Sequence, residues 1–233
     1  MNILAVGAHP DDLEILCGGT LIRYHIEGHS ITMGSVCNGN KGHRTLPGDK
    51  LAKIRLAEAQ NSARIIHAQH FCLNIPDCEV YVNREAMEKV LNLIRQAKPD
   101  IIITHSPNDY MPDHRVVSEL VFQASFHATL PLYNAEQPPH DKITPVLYMD
   151  TLAGVDFNPT MYVDITDVFE QKLAMLRCHK SQRDWLDDHD AIDMDEFMTA
   201  VARFRGLQCS KKYAEGFRSL DVWGRNRTQR LLP

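Results

Sequence analysis

The sequence predicts an α/β fold, a Rossmann-like three-layer sandwich whose sheet is mostly parallel. Through about the first 150 residues, short apolar runs that suit buried strands alternate with segments of helical periodicity. Strands joined by helices require right-handed crossovers, which make neighbouring strands parallel and cover both faces of the sheet. Ligands of such sheets bind beyond the carboxyl ends of the strands, so we expect functional residues directly after strands.

Elements of the amino-terminal half follow this alternation in order. An apolar run over residues 3–6 predicts a strand, and helical spacing over residues 12–27 predicts a helix that Gly28 ends. A strand over 30–36 comes next, and Gly, Asn and Pro residues then predict a loop over 38–48. The further elements are a helix over 49–66, a strand over 71–75, a helix over 84–98 with Asn83 as its N-cap, a strand over 100–104 and a helix from about Asp113.

Beyond about Tyr133 the pattern is less regular, because Pro and polar residues interrupt it over residues 136–142. Strands are predicted near residues 146–149 and 161–165, and helices near residues 168–179 and 193–205. No repeat, low-complexity tract or convincing linker divides the chain, so residues 1–233 are expected to form a single domain. A chain of this length can bury roughly 70% of its unfolded surface and needs no disulfide or metal merely to hold its fold.

Composition and charge exclude several classes of protein. The chain has 44% hydrophobic and 24% charged residues, a balance typical of globular and not of disordered proteins. Its net charge of -5 argues against nucleic acid or an anionic membrane as the main partner. No apolar stretch reaches the ~18 residues of a transmembrane helix, and the first residues lack the basic region of a signal peptide. Six scattered cysteines without a Cys-x-x-Cys pair predict reduced, mostly buried thiols in a cytoplasmic protein.

Two polar groups follow predicted strands that should be neighbours. His9 and Asp12 come after the first strand, and His114 follows the strand at 100–104 after a short loop. Together they would supply two imidazoles and one carboxylate, a set that suits zinc with an open position for water and also suits Fe(II). A surface turn in each half is the competing interpretation, because the chain has twelve histidines and pairs arise by chance.

Asp11 is the candidate general base of this site. If Asp12 binds the metal, Asp11 cannot easily bind it from the adjacent position, but it can reach a water molecule there. Zinc lowers the pKa of a bound water to about 7, and a nearby carboxylate can then take its proton. Pro10 stiffens the turn and has no backbone N–H, which suits a loop that holds two carboxylates apart.

The segment AHPDD at residues 8–12 resembles the start of the zinc-dependent de-N-acetylases of the PIG-L/LmbE family. This family deacetylates N-acetylglucosaminyl-phosphatidylinositol and the N-acetylglucosaminyl precursors of mycothiol and bacillithiol. Further similar motifs are GGTL at 18–21, RLAEA at 55–59, IPD at 75–77, PDHR at 112–115, CHKSQ at 178–182 and YAEGF at 213–217. They are collinear and span nearly the whole chain, and the resemblance therefore implies an LmbE-like fold.

The resemblance also implies a reaction and the residues that carry it. His9, Asp12 and His114 would bind Zn2+, and Asp11 would be the catalytic base. The expected reaction is removal of the acetyl group from a small-molecule substrate, an N-acetylated amino sugar or its conjugate. Members of the family often form oligomers, so the resemblance allows a homo-oligomer, although no residue of this sequence indicates one.

Two substrate-binding residues are implied in the same way. Arg55 would bind a substrate hydroxyl or phosphate near the metal, and Asp77 would lie at the sugar-binding edge. By residue type alone, Arg55 is better explained by a helix-surface ion pair with Glu58 or Glu27, and Asp77 after a proline by a turn.

One position departs from the family pattern. The family has His-Pro-Asp-His where this chain has Met111 followed by Pro-Asp-His, and the family's first histidine stabilises the oxyanion. Met111 cannot donate a hydrogen bond, and an oxyanion donor is typically worth ~3 kcal/mol. His105 is a candidate replacement, and Asp113 is a candidate second-layer partner that orients His9 or His114.

Two other functions compete with deacetylation. A zinc-dependent hydratase or lyase that acts on an unsaturated dicarboxylate would need a cationic pocket, with Arg55 and Arg115 both pointing inward. A non-catalytic member would bind metal and sugar without releasing acetate. Elsewhere, the acidic run at 187–190 is expected to be a solvated loop, His179 to pack or cap, and residues 213–217 to line the pocket or close the fold.

Overall fold

The computed structural model describes residues Met1–Pro233, which form one seven-stranded sheet and seven α-helices. The strands are β1 (Asn2–Gly7), β2 (Ser30–Cys37), β3 (Gln69–Ile75), β4 (Ile101–Thr104), β5 (Val146–Met149), β6 (Met161–Asp164) and β7 (Ala214–Ser219). The helices are α1 (Asp12–Ile26), α2 (Gly48–Arg64), α3 (Arg84–Ala97), α4 (Pro112–His127), α5 (Phe169–Arg177), α6 (Lys180–Asp190) and α7 (Met194–Gln208). None of these helices combines the length and the apolar character that crossing a bilayer requires.

The strands lie in the order β3-β2-β1-β4-β5-β7-β6. The first five strands of the chain pair in parallel, whereas β7 is antiparallel to both β5 and β6. Because β2 and β3 lie on one side of β1 while β4 and β5 lie on the other, the strand order reverses at the β1–β4 pair. Open α/β sheets bind ligands in the crevice beyond the carboxyl ends of the strands at this point. The predicted fold class, a mostly parallel α/β sheet covered by helices, is confirmed.

Alternating side chains of the central strands build a core on each face of the sheet. Ile3 and Ala5 of β1 belong to a cluster of 29 buried residues that includes positions from α1, α5 and α7. Leu4 and Val6 belong to a second cluster of 19 buried residues, which includes positions from α3 and α4. Successive side chains of a strand point to opposite faces of the sheet, so a strand with apolar residues at every position is buried on both sides. Helices therefore cover both faces of this sheet.

Most predicted elements occur within a few residues of their expected bounds, including α3 with Asn83 as its N-cap, whose side chain accepts a hydrogen bond from the Ala86 amide. Two elements were missed. The acidic run at 187–190 is not a loop but the last turns of α6, and Ala191 ends that helix with a left-handed φ of 54°. Ala214–Ser219 forms β7, although it has no β-branched residue, because β5 and β6 supply hydrogen-bonding partners on both of its edges.

The six cysteines are all free, but the prediction that most are buried is wrong. Only Cys17 and Cys37 are buried, and Cys78 is exposed in the loop after β3. The physical reason is position in the fold. Cys72 lies on β3, an edge strand that is only partly covered, and the other two half-buried cysteines directly follow the ends of α5 and α7.

Candidate metal centre

The loop after β1 holds Asp12 in one orientation at the start of α1. One oxygen of its carboxylate, Oδ2, accepts a hydrogen bond from the His9 amide at 2.7 Å and lies 3.1 Å from Nε2 of His105. The same His105 nitrogen lies 2.9 Å from the Ala8 amide, so it connects the loop to the end of β4. The other oxygen, Oδ1, faces Nε2 of His114 at 3.4 Å. Asp12 therefore presents one anchored oxygen and one oxygen aimed at His114.

His114 lies in the first turn of α4, which Pro112 opens at the position where a missing N–H costs nothing. Its Nδ1 is 2.9 Å from Oδ2 of Asp109, a carboxylate that must accept the hydrogen bond. In the neutral imidazole the proton therefore resides on Nδ1, and Nε2 is the nitrogen that can offer a lone pair to a ligand. That Nε2 atom is buried and has no hydrogen-bond partner, an uncommon and costly state unless a ligand binds it.

His9 is held in a similar way from its other side. Its Nε2 is 3.0 Å from Oδ2 of Asp113, which also accepts a hydrogen bond from the Cys78 amide. Nδ1 of His9 is left facing the carboxylate of Asp12 at 3.6 Å. Asp113 was expected to orient either His9 or His114, and in the structure it contacts His9.

The three predicted ligand side chains converge. One ligand atom each from His9, Asp12 and His114 lie within 4.8 Å of one another. The unpaired Nε2 of His114, the oxygen of Asp12 that faces it and the free Nδ1 of His9 match the donor set of a catalytic zinc site with three protein ligands. These residues therefore fit the metal that the family implies, although which ion they bind stays a prediction.

Two overlapping clusters fit a cation less well. In the group of His105, Asp109 and His114, the oxygen of Asp109 is already used by Nδ1 of His114, and all three residues are buried away from solvent. In the group of His9, Cys37 and Asp77, both oxygens of Asp77 accept backbone amides, and burial raises the pKa of the Cys37 thiol well above its ordinary value.

Charges in the cluster favour a bound cation. Burial alone would lower the pKa of His9, but hydrogen bonds to Asp113 and Asp12 outweigh it and raise the pKa to about 10. Burial would also lower the pKa of His114, but the carboxylates of Asp12 and Asp109 outweigh this effect and raise the pKa to about 9. Burial would raise the pKa of Asp12, yet the neighbouring histidines hold it well below its usual range. Metal binding must therefore displace protons from both imidazoles.

Asp11 lies beside this cluster with a strained backbone. Its φ of 119° belongs to a region that non-glycine residues rarely adopt, a strain of about 1–3 kcal/mol that often marks functional sites. Its carboxylate is 3.2 Å from Nη2 of Arg55. Burial raises the pKa of Asp11 to about 6, against the opposing charge of Arg55. A carboxylate with a pKa near neutral pH is suited to accept and return a proton.

Arg55 is not the surface ion pair that residue type alone favoured. The side chain is 3% exposed and donates hydrogen bonds to the Pro10 and Gly39 carbonyls in addition to its contact with Asp11. Gly39 has a φ of 76°, and a Cβ at this position would lie 2.5 Å from Cδ of Arg55. The guanidinium group of Arg55 thus contacts both the loop after β1 and the loop after β2. A substrate-binding role for Arg55 stays a prediction.

Asp77 supports a loop at the edge of the cavity. Its Oδ1 accepts the Gly39 amide at 2.7 Å and its Oδ2 accepts the Lys41 amide at 3.2 Å. The Asn40 side chain in turn accepts the Asp77 amide. Contact of Asp77 with a sugar stays a prediction, whereas its hydrogen bonds give it a clear part in shaping the loop after β2.

His105 does not replace the hydrogen-bond donor that is lost with methionine at position 111. Met111 lies before α4 and lines the cavity, whereas His105 is fully buried behind Asp12 and does not line it. Burial lowers the pKa of His105 to about 4, and the neighbouring His114 adds to this effect. His105 is thus a neutral, buried side chain whose Nε2 accepts the Ala8 amide beside Asp12, and the hypothesis that it takes over the oxyanion role does not fit this geometry.

A cavity of about 420 Å³ opens beside the cluster, within the size range of small-molecule sites. His9, Asp11 and Asp12 form part of its wall, while His114 lies deeper. The remaining wall comes from Ile15 of α1, Arg55 of α2, the loops after β2, β3, β4 and β5, the helices α6 and α7 and the loop between them.

Sequence reasoning missed Asp109 as a functional candidate. Its signal was present, since an aspartate five residues before a candidate ligand histidine can reach the outer ring nitrogen of that histidine. Asp109 is 1% exposed and the Met111 amide also binds its carboxylate, so it sets both the loop and the tautomer of His114. Such outer partners are part of metal sites as much as the ligands are.

Replacing Asp109 with asparagine should weaken metal binding by about 10- to 100-fold. The amide removes the charge that strengthens the donor nitrogen of His114 and no longer selects its tautomer. Zinc affinity measured by chelator competition checks this expectation. Asp141→Asn, a change at a carboxylate whose side chain is 89% exposed, serves as the control. Equal zinc affinity of Asp109→Asn and the unaltered protein would contradict the assignment.

Comparisons with known proteins show what the whole chain is similar to. The family model described as "PIG-L: GlcNAc-PI de-N-acetylase" matches residues 4–125. Diacetylchitobiose deacetylase from Thermococcus kodakarensis is 30% identical over 236 residues, which cover 93% of this chain and 82% of that protein. 4-Oxalmesaconate hydratase from Pseudomonas putida is 24% identical over 242 residues, which cover 94% of this chain and 89% of that protein.

A solved structure extends the similarity to the fold. N,N'-diacetylchitobiose deacetylase from Pyrococcus horikoshii, in complex with its inhibitor MPG, matches with a TM-score of 0.81 at 28% identity. The match covers 94% of this chain and 83% of that one. Over nearly its whole length, the chain is thus similar to two deacetylases and to one hydratase.

Proposed function

Because the chain belongs to the PIG-L family of GlcNAc-PI de-N-acetylases, we propose that it is a zinc-dependent hydrolase that removes the acetyl group from a small N-acetylated amino sugar or its conjugate. The observation that carries the proposal is the buried, unpaired Nε2 of His114, which faces Asp12 and His9 at the edge of a cavity that Asp11 also lines. Metal ligands and a carboxylate beside them that does not bind the metal are the parts that amide hydrolysis by water requires.

Zinc held by His9, Asp12 and His114 would polarise the amide carbonyl and lower the pKa of the attacking water. Asp11 takes a proton from that water as the oxygen attacks the acetamide carbon. Asp11 then delivers this proton to the amine nitrogen as the C–N bond breaks, which leaves acetate and a free amino sugar. Arg55 stays within 3.2 Å of Asp11 and keeps its carboxylate charged and in place between turnovers.

Proton transfer by Asp11 is more important in this chain than in a site that has a histidine where this chain has Met111. A methionine thioether neither donates a hydrogen bond nor carries a proton. In this proposal Asp11 is therefore both base and acid, and the enzyme works without the oxyanion donor that a histidine would add, a loss of ~3 kcal/mol in transition-state stabilisation.

Hydration of an unsaturated dicarboxylate is the second candidate, and the similarity to 4-oxalmesaconate hydratase favours it. Binding of a dicarboxylate would require two arginines, Arg55 and Arg115, that point into the cavity, and this requirement is not met. Arg55 lines the cavity, but its guanidinium is engaged by Asp11 and two carbonyls. Arg115 is exposed, donates to the Asp109 carbonyl and does not line the cavity. Deacetylation is the better fit to this charge arrangement.

An assay of acetate and free amine separates these functions. We expect zinc-loaded protein to release both from at least one member of a panel of N-acetylglucosamine, N,N'-diacetylchitobiose and an N-acetylglucosaminyl-inositol. Removing the metal with a chelator should stop the release, and adding zinc should restore it. Absence of acetate from every substrate, with turnover of an unsaturated dicarboxylate seen by ultraviolet absorbance, would replace deacetylation by hydration. Metal and sugar binding without either product would make the chain a binding protein.

A further inference from the structure

The cavity beside the metal cluster has two chemically different halves, and the order of the strands explains their placement. Loops after β3 and β2 contribute Asp77, Lys41 and Gly42 on one side of the cluster. The turn after β5 contributes Leu152 and Ala153 on the other side. Between them, the loops after β1 and β4 hold the metal cluster itself. A substrate with its reacting bond at the cluster must therefore extend one way over polar groups and the other way over apolar ones.

The apolar half of the cavity contains more side chains than Leu152 and Ala153. Leu152 is joined there by Met194 and Phe197 at the start of α7, a helix that contacts the turn after β5, and the apolar lining continues through Ile15 of α1, Leu186 of α6 and Ile192 in the loop between α6 and α7. Five of these six side chains border the interior, because Leu152, Leu186 and Phe197 pack against the large core cluster to which Ile15 and Met194 belong. The wall is thus a continuation of the core that opens into the active-site cavity.

Amide geometry assigns the two halves to the two sides of the scissile bond. The acyl chain and the amine substituent leave the carbonyl group in opposite directions. Sugar hydroxyls placed against the apolar wall would lose their hydrogen bonds to water, at about 1–3 kcal/mol for each unpaired group. The polar half therefore suits the amino sugar, and the apolar half suits the acyl substituent. An acetyl group offers that wall a single methyl, which leaves most of its six side chains against water.

We infer that the preferred substrate is an N-acyl amino sugar whose acyl group is a linear alkyl chain longer than acetyl, with that chain lying against Leu152, Leu186, Met194 and Phe197. This inference rests on the proposed amidohydrolase function and refines its substrate class. The reaction balances as for acetyl, since water adds to the acyl carbon, the C–N bond breaks, one proton goes to the amine and a longer carboxylate leaves.

A chain-length series tests this substrate class on the unaltered zinc-loaded protein. Glucosamine carrying N-acetyl, N-butyryl, N-hexanoyl or N-octanoyl groups is assayed for release of glucosamine. We expect kcat/KM to increase about fourfold for each methylene group that the wall buries, until the chain exceeds the cavity. A flat or falling series with clear activity on N-acetylglucosamine would overturn the inference and leave the proposed function intact. Absence of glucosamine from every member would instead overturn the proposed function.

An alkyl glycoside separates acyl recognition from recognition of an apolar aglycone. The octyl glycoside of N-acetylglucosamine carries its chain on the sugar and not on the scissile amide. We expect it to react no better than the methyl glycoside. Faster reaction of the octyl glycoside, together with a flat acyl series, would assign the apolar wall to an aglycone and contradict the inference.

Substitutions in the wall provide a second test. Leu186→Gln keeps a helix-forming residue of similar length but removes apolar surface, and we expect the ratio of kcat/KM for N-hexanoyl to N-acetyl substrate to fall about tenfold. Phe197→Ala should lower the same ratio. Leu207→Ala, at a side chain 73% exposed on the outer face of α7, is the matched control and should leave the ratio unchanged. An unchanged ratio in both wall variants, with normal thermal melting, would contradict the inference.

Direct binding gives a readout that does not depend on turnover. Calorimetric titration of the Asp11→Asn protein with N-acetylglucosamine and N-hexanoylglucosamine should show tighter binding of the longer amide. Equal affinity for both amides would count against an acyl chain in the apolar half of the cavity.

Discussion

Replacing Asp11 with asparagine should lower kcat of the proposed deacetylation by roughly 10²- to 10⁴-fold while zinc remains bound, since this is the usual contribution of a positioned general base. Asparagine has the shape of aspartate and tolerates positive φ better than most residues, so the backbone at 119° can persist. It cannot accept a proton from water. Steady-state kinetics and metal content measured on the same preparation check the two halves of this expectation.

A control substitution excludes a general effect of removing a carboxylate. Asp49→Asn changes an exposed carboxylate in the first turn of α2 and should leave kcat unaltered. Near-normal activity of Asp11→Asn would show that the base is another group. Loss of zinc together with activity would instead make Asp11 part of the metal site.

Replacing His114 with alanine should abolish measurable amide hydrolysis through loss of the metal. The side chain is fully buried and supplies the unpaired Nε2 atom, so its removal leaves only two of the three candidate ligands. A ligand that binds only the folded state raises stability by mass action. Zinc should therefore raise the melting temperature of the unaltered protein and not that of His114→Ala.

The control for this substitution is His189→Ala, which removes an exposed imidazole from α6. Its zinc content and its zinc-dependent increase in melting temperature should match those of the unaltered protein. If His114→Ala retained stoichiometric zinc and activity, His9 and Asp12 would have to bind the metal with other partners, and the candidate centre would be wrong.

The candidate ligands could be found from the sequence because they follow strands. Buried parallel strands are recognisable as short apolar runs, and the ends of neighbouring parallel strands meet at one edge of the sheet. His9 and Asp12 follow β1, His114 follows β4, and these two strands do pair in parallel. Residue type and spacing left a metal site and chance turns as competing interpretations, and the family resemblance supplied the roles.

The surroundings of the ligands could not be found in the same way. By residue type, Arg55 was better explained by a surface ion pair with Glu58 or Glu27, and only the packing of α2 against the loop after β1 directs it to Asp11. The same limit applies to His105, whose residue type is compatible with an oxyanion donor but whose burial behind Asp12 is not. Helix α6 and strand β7 were missed because partners distant in the chain stabilise them more than their own residue types do.

The sequence by itself determined the alternation of strands and helices, the class of fold and the side chains able to bind a cation, since all three depend on local patterns and on residue chemistry. Only the tertiary structure decided which nitrogen of each histidine is free, which carboxylate supports it and where the cavity is apolar. Those properties depend on distances of a few ångströms between segments far apart in the chain, and side-chain packing sets such distances.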